Sequence, residues 1–150
     1  MSIAISVEEH LVTLLAERWE LTSRKIAELA ESIPEEKFEM APVAGLRTCG
    51  AVLRHVAFWN RYVADSLDGK SANDEANELP AAAYPTKRSV LEEVRRSSED
   101  VASALRNHRG ALSLKTAELM ITFVEHTSEH YGQLAVYGRL MGVVPPASRT

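Results

Sequence analysis

Apolar residues recur along this chain at helical spacing in four separate stretches, and no stretch shows the alternation of a strand. In the first, Val7, Leu11, Leu14, Leu15, Ile26 and Leu29 mark one face of a helix that begins at Ser6 and runs to about Ser32. Ser6 and Glu9 have capping-box spacing, in which the hydroxyl accepts from an orphan amide and the carboxylate reaches back. Pro34 marks the exit, and residues 35–47, with Pro42 and Gly45, read as a connecting loop.

Thr48 is the expected N-cap of a second helix reaching about Leu67. Its apolar stripe is Val52, Val56, Trp59, Tyr62 and Val63, with Arg54, Arg61 and Asp65 on the opposite side. Residues 68–85 are polar and proline-punctuated, a long surface loop of the kind that often carries function. A third helix starts near Thr86 or Ser89, where Ser89 and Glu92 repeat the capping-box spacing, and it buries Leu91, Val94, Val101 and Leu105. It ends between Asn107 and Gly110, the glycine suiting a left-handed position. A fourth runs from about Thr116 to Met141, stopped by Gly142 and sealed by Pro145 and Pro146.

Four amphipathic helices in a chain of this size predict one all-α domain over residues 1–150, a four-helix bundle. At 150 residues with 45% apolar content, a single core needs no disulfide or metal staple. The net charge of −4 and the scatter of the 17 basic residues among acids exclude a general nucleic-acid binder. No apolar run approaches the ~20 residues of a membrane span. The opening residues MSIAISVEEH lack the basic start of a signal peptide, and Cys49 is the single cysteine, so a cytoplasmic home is expected.

The chemistry concentrates in EHTSEHYGQL, residues 125–134. His126 and His130, four apart on a helix, sit one above the other, with Cβ atoms roughly 5–6 Å apart. At ~100° per residue they share a stripe with Leu119, Phe123, Gln133 and Tyr137, whereas Glu125, Ser128 and Arg139 fall away from it. The pair therefore faces the interior, where an unpartnered polar ring is costly. His55, beside Val52, Trp59 and Tyr62 on the second helix, is a possible third member. Helical phase alone leaves two readings open: an open three-histidine metal site, or buried histidines linked by hydrogen bonds.

HTSEH also matches the inverted zinc-peptidase pattern H-x-x-E-H, in which the glutamate is the general base. Those enzymes need a downstream carboxylate ligand, and no Asp or Glu follows Glu129 here. Glu129 is instead expected at the surface or supporting a ligand.

Three segments resemble the DinB-like family of four-helix-bundle, histidine-triad proteins. They are RTCGAVLRHVAFWN (residues 47–60), HTSEHYGQL (126–134) and YGRLMGVVPP (137–146). The resemblance implies an up-up-down-down bundle, a divalent metal such as zinc or nickel on His55, His126 and His130, and a homodimer. It extends to thiol-dependent transferases and other metal-dependent enzymes without selecting one reaction, and it favours the metal site over buried structural histidines.

The reading that follows is a divalent-metal-dependent enzyme of thiol-transferase or hydrolase type acting on a small-molecule thiol or another small substrate. The alternative is a non-catalytic dimeric stress-response or ligand-binding bundle with a structural or vacant site. Gln133 is expected to bond a ligand imidazole or to tie two helices, and Trp59, Tyr62 and Tyr137 to wall a pocket or fill the core. Cys49 reads as a packing residue, and His10 and His108 as structural or exposed.

Overall fold

The structure, a computed structural model, describes residues 7–149, apart from the side chains of Glu8 and Glu9. Helices α1 (Val7–Ser32), α3 (Cys49–Leu67), α4 (Lys87–Arg106) and α5 (Leu114–Leu140) form the bundle. A single turn, α2 (Glu35–Phe38), and a 3₁₀ turn at Pro146–Ser148 complete the described elements, and no strand occurs among them. The all-α bundle read from the periodicity is the one observed, with one addition: α2 lies within the segment expected to be a plain loop, where Phe38 becomes fully buried.

Local chemistry sets the helix ends. Thr48 accepts from the amide of Ala51 at 3.0 Å, and Ser113 from that of Thr116 at 3.1 Å, each satisfying an orphan donor. The capping box of α4 joins Thr86 to Ser89 and not Ser89 to Glu92, which is three residues earlier than one of the two expected starts. The box expected at Ser6 and Glu9 lies outside the described residues. Gly142 takes φ 79° just past the end of α5, a conformation that favours glycine. Helix α1 has no basic residue in its last turn, and Lys87 from α4 supplies one across the bundle, donating to the carbonyls of Glu31 (2.9 Å) and Ile33 (2.5 Å).

Cross-helix contacts fix the directions. Lys87 meets the end of α1 while Arg106 meets Glu20, so α1 and α4 are antiparallel. Asn60 bonds Ser97, with Cys49–Ala57 packing beside Val90–Val94 and Val63 beside Val101–Leu105, so α3 and α4 are parallel. Leu15 and Trp19 cluster with Met120, and Ile26–Ile33 with Leu134 and Tyr137, which makes α1 and α5 parallel as well. The order is therefore up-down-down-up, not the up-up-down-down that the resemblance implied. The physical reason is where the long link falls. Residues 68–86 join α3 to α4 and can return along a helix, while the links on either side are shorter and join neighbouring ends.

The core forms two clusters, one around Ile26, Leu53, Val94 and Leu134, the other around Trp19, Val63, Leu105 and Met120. Two expectations of burial change. Val7, Leu11 and Leu14 are exposed, while Leu15, Ile26 and Leu29 are buried as expected and Trp19 joins them. Arg54, placed by pattern on the solvent side, is only 5% exposed, because Glu39 and Glu78 from the two connections cover it (2.6 and 3.4 Å).

Candidate metal centre

Helices α3 and α5 cross antiparallel at the middle of the bundle, and their seam carries the three histidines. The Nε2 atom of His126 lies 2.9 Å from Nε2 of His55 and 3.2 Å from Nε2 of His130. The ring centroids stand 4.5–4.9 Å apart. Among the described residues these three form the cluster able to offer one ligand atom each to a common ion.

The opposite ring atoms are committed elsewhere. Nδ1 of His55 lies 2.6 Å from the backbone oxygen of Asn77. A carbonyl only accepts, so His55 carries its proton on Nδ1. Nδ1 of His130 lies 2.8 Å from Oε1 of Gln133, whose amide nitrogen donates in turn to the Tyr137 hydroxyl at 2.9 Å. In its neutral form each of these two rings therefore presents an Nε2 lone pair to the centre. His126 has one Nε2 proton to give at most, so it satisfies one neighbour and leaves the other facing a lone pair.

Protonation is opposed. Burial, reinforced by the neighbouring His130 and His55, pushes His126 down to about 4. Burial also lowers His55, against the bond to Asn77 and with the help of the His130 and Arg47 charges. Converging lone pairs on rings that resist protons suit a cation. The two spacings to His126 agree, because nitrogens ~2.0–2.1 Å from one ion at tetrahedral or octahedral angles stand roughly 2.9–3.4 Å apart, and all three ligand atoms lie within 4.8 Å of one another.

Aromatic rings enclose one side. Trp59 meets His55 and His126 edge-on (6.3 and 6.4 Å) and stacks on Phe123 at 5.5 Å, while Phe123 contacts His126 at 5.6 Å. Tyr62 lies one ring farther out, against Trp59 and Phe123. Gln133 and Tyr137 thus support His130, Trp59 walls the site, and Tyr62 is at one remove. Glu129 is exposed on the outer side of α5.

Two contributors escaped the sequence reading. Asn77, inside the 68–85 segment, supplies the carbonyl to His55, and its side-chain oxygen accepts from the Trp59 indole at 2.9 Å. Phe123 was placed on the stripe but given no role. An Asn in a polar loop is a weak signal, and a backbone oxygen leaves none.

The sequence profile of the DinB superfamily matches residues 18–134, most of the chain, including all three histidines. The chain belongs to the DinB superfamily. No curated protein sequence matches it. In this DinB-superfamily protein His55, His126 and His130 are brought together into a cluster able to hold a metal ion. Its other candidates stand apart from that cluster. Cys49 is fully buried, and burial with the nearby Glu39 carboxylate raises its thiol to about 11, so it packs and does not react. His10 is exposed and His108 lies in the link after α4.

Proposed function

We propose that this protein binds a divalent metal, zinc or nickel, through His55, His126 and His130, and that it works as a metal-dependent enzyme of thiol-transferase or hydrolase type. The observation that carries the proposal is the convergence of three Nε2 atoms at 2.9 and 3.2 Å with two of the rings locked from behind. Imidazole suits both metals, and three protein ligands are the number found in catalytic rather than structural zinc sites. A metal in such a site supplies a Lewis acid that makes a water or a small thiol nucleophilic near neutral pH.

The chain's own contribution is position and shelter. Asn77 and Gln133 orient two of the rings, and Trp59 and Phe123 keep water from one flank. Farther along the same seam, a cleft of about 600 Å³ bounded by Tyr62, Ser66, Lys70, Lys115 and Leu119 offers room for the remainder of a small substrate. A homodimer is part of this reading, since Leu14, Leu21, Leu114 and Ile121 expose apolar surface on α1 and α5. So is a cytoplasmic setting, in which the lone thiol of Cys49 stays reduced. Among the described residues, no helix is long and apolar enough to cross a membrane.

One observation favours a non-catalytic bundle. Glu125 and Glu129, the carboxylates next to the pair in sequence, are both exposed and unavailable as a base at the rings. Metal content of the purified protein and of His126→Ala, together with a screen of thiol acceptors and hydrolysable substrates, tests both readings. The proposal expects about one metal per chain, lost in the variant, with turnover. Unchanged stoichiometric metal in His126→Ala rejects the site. Metal without turnover, and a cobalt-substituted spectrum indifferent to azide, selects the non-catalytic reading.

A further inference from the structure

We infer that Asn77 is a positioning residue for the metal site, and that it acts through its backbone conformation. The inference rests on the metal reading above and concerns how His55 is made ready for it. Asn77 has φ 59°, the one non-glycine residue with positive φ among those described. The left-handed region is uncommon outside glycine, although Asn tolerates it better than most residues, and such outliers persist where the surroundings hold them.

Here the surroundings are specific. The carbonyl of Asn77 accepts from Nδ1 of His55 at 2.6 Å, and its side-chain oxygen accepts from the Trp59 indole at 2.9 Å. The next two residues are stitched to the same turn of α3 that carries His55. Glu78 pairs with the Arg54 guanidinium at 3.4 Å, and the amide of the buried Leu79 donates to the Arg54 carbonyl at 3.3 Å. The left-handed turn at Asn77 lies immediately before these two anchorages and aims its carbonyl at the ring. A neutral imidazole has one N–H, so the nitrogen that faces a carbonyl bears the proton and the other is left as the lone pair. With Nδ1–H held by Asn77, the Nε2 lone pair of His55 faces His126 before any metal arrives.

The decisive comparison is Asn77→Gly against Asn77→Ala. Both lose the indole contact, and they differ in how readily they adopt positive φ. Zinc affinity of the full chain is measured by competition with a chelating dye. The protonated ring nitrogen of His55 is read by ¹⁵N NMR on the metal-free protein. We expect Asn77→Gly within about threefold of the parent, with Nδ1–H of His55 retained. Asn77→Ala should bind zinc about tenfold more weakly, in the range seen when groups that orient a ligand are removed, and should lose the Nδ1–H preference. Equal affinities and equal tautomers in the two variants overturn the inference. If the parent binds neither zinc nor nickel, the metal reading fails, yet the NMR comparison still decides whether Asn77 sets the tautomer.

Discussion

The amide oxygen of Gln133 accepts from Nδ1 of His130 at 2.8 Å, one helical turn along α5 from the ring it holds. The amide nitrogen is used as well, donating to the buried Tyr137 hydroxyl at 2.9 Å, so the side chain is fixed at both ends. Gln133→Ala should leave the fold intact and weaken zinc binding about 10- to 100-fold, the usual cost of freeing a ligand histidine. Tyr137→Phe should weaken it less, and the double variant should be no worse than Gln133→Ala alone, since Tyr137 acts through Gln133. Titrations of the three variants check this, and additive losses would contradict the relay.

Two glycines inside helices make opposite predictions. A Cβ on Gly132 would meet nothing within 4 Å, whereas one on Gly50 would run into the carboxylate of Glu39. Alanine is the better helix former by about 1 kcal/mol. Gly132→Ala should therefore stabilise by roughly 0.5–1 kcal/mol in denaturant melts. Gly50→Ala should destabilise despite that advantage, by about 1–2 kcal/mol, because the Glu39 carboxylate must leave Arg54 and Thr48, and the buried guanidinium keeps only its longer contact to Glu78. A stabilising Gly50→Ala would mean that the carboxylate moves freely.

The Glu39–Arg54 pair should also be visible in acid. Burial pushes the Glu39 carboxyl up, but the hydrogen bonds from Arg54 and Thr48 and the charge of Arg54 outweigh it, leaving it below its ordinary 4.5. A carboxyl depressed in the folded state contributes stability that is fully present above about pH 4.5 and fades as pH falls through the folded value. The stability gap between the parent and Glu39→Gln should hold from pH 7 to pH 5 and close below about pH 4.5. Equilibrium unfolding at several pH values measures it, and a gap that persists at pH 3 would assign the effect to packing.

Cys49 should be inert in the folded protein. It is fully buried and its thiol is raised to about 11, so at pH 8 it is both shielded and protonated. Reaction with a disulfide dye should follow global unfolding, accelerating in denaturant in step with the loss of helix. Rapid stoichiometric labelling in native buffer would show that the N-terminus of α3 opens locally.

What the sequence made legible was whatever repeats with the period of a helix. The four long helices, the inward phase of His126, His130 and Gln133, and the caps at Thr48 and Gly142 all follow from spacing and residue type. His55 was reachable by phase on the second helix as a possible third member, and the family resemblance favoured the metal reading of all three. Arg54 was misplaced because its partners, Glu39 and Glu78, lie in irregular connections whose path no periodicity describes. The helix order was misread although the 68–85 segment held the clue, being long enough to run back beside α3. Asn77 was invisible because its contribution to His55 is a carbonyl, which every residue possesses.

That returning segment has a consequence for how the chain tolerates change. Helix α3 spans roughly 28 Å at 1.5 Å per residue, a distance that about nine extended residues would cover. The link from Asp68 to Thr86 is about twice that length, and its excess is gathered into the turn at Pro80–Tyr84 and the polar stretch before Asn77. Deletions or insertions in residues 69–75 therefore meet slack, as they would in an ordinary loop. The same edit at 77–79 shifts the register between a carbonyl and an imidazole. In this bundle the stretch that looks most expendable contains a three-residue ruler against which a histidine is set.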